Sequence, residues 1–212
     1  MLQATSKSKN YQLFITWLFA TAIGWGVIVY PALRIQQLRI TSWDALPGIA
    51  WQLLIPATLL GLIVGILQYT VLRFVGIIST KWILFSMFGY AVGTSIAFLL
   101  SATILGLAFP EIYTSNGNAF SFMPVDTTMF LCGGITGLFQ IAALKKVFIS
   151  YYIKDSVLWV LGSALGWGIG YFSTGYAFES GLPLFLQSGV AGLVIGTITG
   201  AVLFIQLTQY KK

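Results

Sequence analysis

The sequence predicts an all-α integral membrane protein: six transmembrane helices, arranged as three parallel two-helix hairpins, with both termini cytoplasmic. Three observations predict it. Of 212 residues, 58% are hydrophobic and only 8% charged, about a third of the roughly 25% that a soluble domain carries; mean hydropathy is +0.89. Six runs free of Asp, Glu, Lys and Arg occur at about 11–33, 48–72, 82–108, 127–144, 157–178 and 183–208, close to the roughly 20 apolar residues that one bilayer-spanning helix needs. Two short motifs then recur along these runs, one in the odd-numbered helices and one in the even-numbered.

The first run follows Lys7 and Lys9 and covers 23 residues, longer than the apolar core of about 7–15 residues in a cleaved signal peptide. The following Tyr30-Pro31-Ala32-Leu33-Arg34 lacks a small-x-small cleavage site, so this run is expected to remain as the first helix. The second run ends at Arg73 and the third begins after Lys81. Between the third and fourth lies the longest connection, 109–126, with a turn signal at Asn116-Gly117-Asn118. Lys145 and Lys146 follow the fourth run, Lys154 and Asp155 precede the fifth, and Lys211 and Lys212 follow the sixth. Transmembrane strands would be about 10 residues long and alternate in polarity; these runs are longer and uniformly apolar. No connection holds a soluble domain, so residues 1–212 read as one transmembrane domain.

Orientation follows from the excess of cations on the cytoplasmic side of membrane proteins. With the N-terminus inside, Lys7, Lys9, Arg73, Lys81, Lys145, Lys146, Lys154, Lys211 and Lys212 are cytoplasmic, and only Arg34 and Arg39 are outside. Asp44, Glu111, Asp126 and Glu179 fall outside and Asp155 inside. The net charge of +6 is therefore a topology signal, and no basic face points to nucleic acid.

The odd-numbered helices share Trp, a hydroxyl residue four positions on, and Gly seven positions on, followed by an aromatic and a small residue. The copies are Trp17-Thr21-Gly24-Trp25-Gly26, Trp82-Ser86-Gly89-Tyr90-Ala91 and Trp159-Ser163-Gly166-Trp167-Gly168. Offsets of four and seven place these residues on one helical face. The even-numbered helices share Gly-x3-Gly-x2-Gln, as Gly61, Gly65, Gln68 and Gly133, Gly137, Gln140; the third copy has Gly192, Gly196 and Thr199. Arg73 and Lys145 follow the first two copies at equal distance, and Phe204 stands at that place in the third. The repeats divide the chain at 1–73, 74–146 and 147–212. With two helices per copy the repeats run parallel, related by an axis along the membrane normal.

The glycine pairs are expected at close helix crossings, because lipid gives helices no hydrophobic drive to associate and packing must hold them. Trp17, Trp82 and Trp159, at the cytoplasmic ends, fit an aromatic belt. Trp25, Tyr90 and Trp167 lie two turns deeper, where their polar atoms need partners inside the bundle; they are candidate aromatic contacts. Gln68, Gln140 and Thr199 are a candidate polar axis, since a membrane-buried amide is costly unless hydrogen-bonded. Interhelical bonding is the expected use of these amides, with a solute-contacting ring as the alternative. Glu111, Asp126, Asp44 and Glu179 read as solvated loop charges.

The absences exclude several function classes. The chain has no His and a single Cys, Cys132, which removes His–nucleophile pairs, intramolecular disulfides and the usual zinc sets. Asp, Glu, Lys, Arg and His are missing from all six runs, so a proton relay or voltage sensor lacks its parts. No catalytic, metal or cofactor site is expected.

From Gly61 to Gly93 the chain resembles an uncharacterised group of bacterial multi-pass membrane proteins, frequent in cyanobacteria. In these a glycine-rich helix ends in Gln-Trp-Leu-Val-Leu-Arg, and the next begins with Trp and carries Gly-Trp. Here the stretch reads Gln68-Tyr69-Thr70-Val71-Leu72-Arg73, then Trp82, Gly89 and Tyr90. A second copy reads Gln140-Ile141-Ala142-Ala143-Leu144-Lys145, then Trp159, Gly166 and Trp167. The resemblance implies a multi-pass topology and carries no activity with it.

The sequence thus leads to a non-enzymatic membrane protein of a bacterial plasma or thylakoid membrane, a packing or assembly subunit that meets lipid and either other membrane subunits or itself. The alternative is a small-solute or lipid-facing transport component, such as a vitamin-uptake substrate-binding subunit.

Overall fold

The computed structural model describes residues 2–27, 46–74, 79–108, 125–144 and 152–209. They form six α-helices: α1 (Leu2–Val27), α2 (Leu46–Phe74), α3 (Lys81–Ala108), α4 (Val125–Leu144), α5 (Tyr152–Glu179) and α6 (Leu184–Gln209). Each coincides with an apolar run of the sequence to within a turn or so, apart from the N-terminal extension of α1; positions 28–33 of the first run lie outside the described residues. Four helices are long and apolar enough to cross a membrane, at Trp51–Phe74, Lys81–Leu100, Ile153–Thr174 and Leu184–Thr208. Tyr11–Val27 and Thr128–Leu144 are shorter apolar segments among the described residues.

The helix ends are fixed locally. At the start of α3, Trp82 N and Ile83 N donate to the carbonyls of Ser79 and Thr80 at 2.9 and 3.1 Å, tightening the first turn. The turn from α5 to α6 uses Gly181 at φ +70°, a left-handed conformation that Gly adopts without steric cost. The Pro183 carbonyl then accepts Leu186 N at 2.8 Å, and Gln187 Nε2 donates to the Leu182 carbonyl at 2.6 Å. Inside α2, Pro56 removes one main-chain donor, and nearby Thr58 Oγ1 donates to the Leu54 carbonyl at 2.6 Å.

Neighbouring helices pack in a closed ring: α1 on α2, α2 on α3, α3 on α4, α4 on α5, α5 on α6, and α6 back on α1. The ring's surface is apolar, and its interior holds polar side chains among apolar ones. Phe19, Ile23, Leu59, Leu84, Phe88, Leu138, Leu161, Leu165 and Ile169 are exposed, whereas Thr21, Gln68, Ser86, Thr136, Gln140, Asp155, Ser163, Thr199 and Gln206 are buried. A water-soluble bundle has the reverse arrangement.

Each even-numbered helix presses its glycine pair against the next odd-numbered helix. A methyl group at Gly61 would stand 2.8 Å from Met87 Cα and from the Ser86 carbonyl. At Gly133 it would run into the Ser163 carbonyl, and at Gly192 it would stand 2.8 Å from Ala22 Cα and 2.9 Å from the Thr21 carbonyl. One turn on, a methyl group at Gly65, Gly137 or Gly196 would stand 3.3 Å from Ile83 Cα, 3.1 Å from Val160 Cα or 3.0 Å from Leu18 Cα. The glycines thus let main chains touch at the α2–α3, α4–α5 and α6–α1 seams, where dispersion contacts replace the missing hydrophobic drive.

Candidate functional site

The centre of the ring is filled by two aromatic layers with a polar layer between them. Trp17 of α1, Trp82 of α3 and Trp159 of α5 converge in the first layer, each only 1% exposed. Their ring centroids lie 5.7, 5.9 and 6.1 Å apart, all edge-to-face. Such pairs contribute about 0.5–1.5 kcal/mol each beyond burial of area. These tryptophans do not form the aromatic belt that their sequence positions suggested: a belt needs rings at the lipid interface, and these rings are enclosed by all six helices. Both arrangements put Trp near a helix end, and burial decides between them.

Two turns on, Trp25, Tyr90 and Trp167 make the second layer. Trp167 lies 5.1 Å from Trp25 and 4.6 Å from Tyr90, edge-to-face, and Trp25 to Tyr90 is 6.4 Å. Trp25 Nε1 donates to the Tyr90 hydroxyl at 3.3 Å. The three rings thus pack partly on one another.

Between the layers stand Thr21, Ser86 and Ser163, with exposures of 0, 0 and 2%. The amides reach them from the even-numbered helices. Gln68 Nε2 donates to Thr21 Oγ1 across the α1–α2 seam at 3.0 Å, and Gln140 Nε2 donates to Ser86 Oγ across the α3–α4 seam at 3.0 Å. Gln140 also works in the other direction: its Oε1 accepts Trp159 Nε1 of α5 at 3.2 Å, so one side chain clasps three helices. Thr199 Oγ1 of α6 accepts Trp17 Nε1 at 3.0 Å and donates to the Ile195 carbonyl at 2.7 Å. The counterpart pair, Gln68 Oε1 and Trp82 Nε1, is buried with neither atom hydrogen-bonded, and Ser163 Oγ is likewise without a partner.

Gln68, Gln140 and Thr199 are thus each bonded to neighbouring helices, Gln140 across two seams. The acids behave less uniformly. Asp44 and Glu111 lie outside the described residues, as do the side chains of Asp126 and Glu179. Asp155 is buried, 2% exposed, one turn before Trp159, and its carbonyl accepts Gln206 Nε2 at 2.8 Å. Gln206 itself is fully buried, and repeat-matching passed over it because its offset has no counterpart in the other copies. A lone amide in an apolar run, seven residues after Thr199 on the same face, was the available signal. Thr94 and Cys132 form a further polar contact at 3.2 Å between α3 and α4.

No protein-family model matches the chain, and neither the curated proteins nor the solved structures include a match.

Proposed function

We propose that this chain is a non-enzymatic, six-span membrane protein, built as three parallel hairpins at 1–73, 74–146 and 147–212, that serves as a packing or assembly subunit. The observation that carries the reading is the closed centre. The two aromatic triads obstruct the ring's axis, and the amides between them are engaged in bonds to neighbouring helices. A solute path would need polar groups facing an open lumen. A transport component, including a vitamin-uptake type of subunit, is therefore the less favoured reading.

The exposed apolar faces of the helices suit a lipid bilayer, and Tyr11–Val27 and Thr128–Leu144 complete six spans when their flanking residues are added. Both termini are cytoplasmic in this reading, on the strength of the nine cations against two. The membrane is a bacterial plasma or thylakoid membrane, following the resemblance carried by the Gln68–Arg73 motif. Matched glycine contacts at three seams support the repeat. The expected partners are other membrane subunits or further copies of the chain.

Native mass spectrometry from a mild detergent tests the role. Stable partner subunits or a defined multimer are expected; a bare monomer carrying a stoichiometric small molecule would sink the assembly reading and favour transport.

A further inference from the structure

The end of the bundle where α1, α3 and α5 begin is also where α2, α4 and α6 finish: Trp17, Trp82 and Trp159 pack there with Leu72, Leu144 and Leu203. The nine cations assigned to that end all fall where one hairpin meets the next. Arg73 and Lys81 flank the α2–α3 corner, and Lys145, Lys146 and Lys154 the α4–α5 corner; Lys7, Lys9, Lys211 and Lys212 flank the α6–α1 corner. Lys145, Lys146, Lys211 and Lys212 lie outside the described residues, as do the side chains of Lys7 and Lys9. One acid shares this end, Asp155, and it is buried. The charge at the surface of this end is therefore positive.

Both cations of the α2–α3 corner are described. Arg73 lies in the last turn of α2 and Lys81 is the first residue of α3. Both are exposed, with seven residues between them in the chain. Phe74, next to Arg73, is 85% exposed. The pairing recurs on α5, where Ile153 is 78% exposed beside the exposed Lys154. A cation beside an exposed apolar side chain at the end of a membrane helix suits the membrane–water interface, where acyl chains meet the one and headgroups the other. An acidic protein segment would complement the charge alone and leave Phe74 in water.

We propose that the α2–α3 corner docks the headgroups of anionic phospholipids, Arg73 and Lys81 drawing the phosphates while Phe74 sits among acyl chains. Cytoplasmic leaflets carry such lipids, and they attract basic residues that adjoin membrane spans. The inference rests on the membrane reading proposed above, although not on which way the chain inserts.

Thermal unfolding of the purified full chain in an uncharged detergent, doped with phosphatidylglycerol or with phosphatidylcholine, tests it. Phosphatidylglycerol should give an apparent Tm about 2–4 °C above the same amount of phosphatidylcholine, as a ligand that prefers the folded state does. Arg73→Gln/Lys81→Gln should remove the difference, and Arg73→Lys/Lys81→Arg, which keeps both charges, should retain it. Each variant is compared with itself in the two lipids, so a change in its basal Tm does not mislead. If the double variant fails to fold, Lys81→Gln alone should shrink the difference, and an unchanged difference there overturns the proposal. Equal wild-type Tm values in the two lipids overturn it too, as does a difference that survives Arg73→Gln/Lys81→Gln. The same holds for an equal rise produced without lipid by inorganic phosphate, which marks a site for free anions, or by polyglutamate, which marks a protein partner. The membrane reading fails separately, through a chain that stays folded and dispersed without detergent, and the lipid proposal falls with it.

Discussion

Two adjacent glycines in α4 allow the close-packing argument to be tested with the smallest possible change. Gly133 and Gly134 share a helix, a depth and a neighbour in sequence, yet they point to different surroundings. A methyl group at Gly133 would collide with the Ser163 carbonyl and stand 2.7 Å from Trp167 Cβ, whereas one at Gly134 would meet only Ala164 Cβ at 3.7 Å. Gly→Ala in a helix interior gains about 0.5–1 kcal/mol from backbone entropy, and this gain is common to both sites. Forcing a methyl group into a filled contact costs about 1–3 kcal/mol, and this applies to Gly133 alone. Gly134→Ala should therefore be as stable as wild type or more so, and Gly133→Ala should fall below Gly134→Ala by about 1–3 kcal/mol. At roughly 2–4 °C per kcal/mol for a chain of this length, the two apparent Tm values should differ by about 2–12 °C. The measurement is thermal unfolding in one detergent under one protocol. Equal Tm values would refute the argument, because they would mean that α4 and α5 can separate at no cost.

The clasp made by Gln140 predicts unequal costs in the tryptophan triad: Trp159→Phe breaks a bond to Gln140 and Trp82→Phe breaks none, so Trp159→Phe should unfold about 2–4 °C lower; identical melting curves would count against the assigned bond. For topology, Ser8→Cys, Ile78→Cys and Ser150→Cys should resist a membrane-impermeant thiol reagent in intact cells, and Ser42→Cys and Asn116→Cys should react. Native Cys132 is buried and gives little background; the reverse labelling pattern would overturn the orientation. Glu111→Gln, Asp126→Asn and Glu179→Gln should each leave protein level and cellular role nearly unchanged, and complete loss of function from one of them at normal abundance would overturn their reading as solvated loop charges.

The parts legible in the sequence were those fixed by local periodicity. Lipid demands long apolar helices with internally satisfied main chains, so the runs of residues announce α1 to α6 directly. The offsets within each motif also showed that Trp, hydroxyl and Gly share a face. What a single sequence does not encode locally is which faces meet. Trp17 reaches Thr199 across 182 positions, and no spacing rule links them. The belt and the buried triad place tryptophan at the same end of a helix, so the two differ only in tertiary packing. Gln206 escaped for another reason. Matching positions across copies highlights what repeats, and an amide that occurs in one copy alone is invisible to it.

Six helices with similar seam residues must still find one arrangement. Each even-numbered helix offers a similar glycine surface and each odd-numbered helix a similar Trp–hydroxyl face, so steric fit alone scarcely distinguishes α4 on α5 from α4 on α1. Lipid adds no preference, because it is as apolar as the side chains it would replace. Polar groups do add one, since a mismatched seam leaves a donor or acceptor buried without a partner. Gln68 fits Thr21, Gln140 fits Ser86 and Trp159, and Thr199 fits Trp17. Gln206 joins α6 to the Asp155 carbonyl of α5. Gln206 and Thr199 thus distinguish α6 from α2 and α4, and their bonds hold it between α5 and α1, where the ring closes.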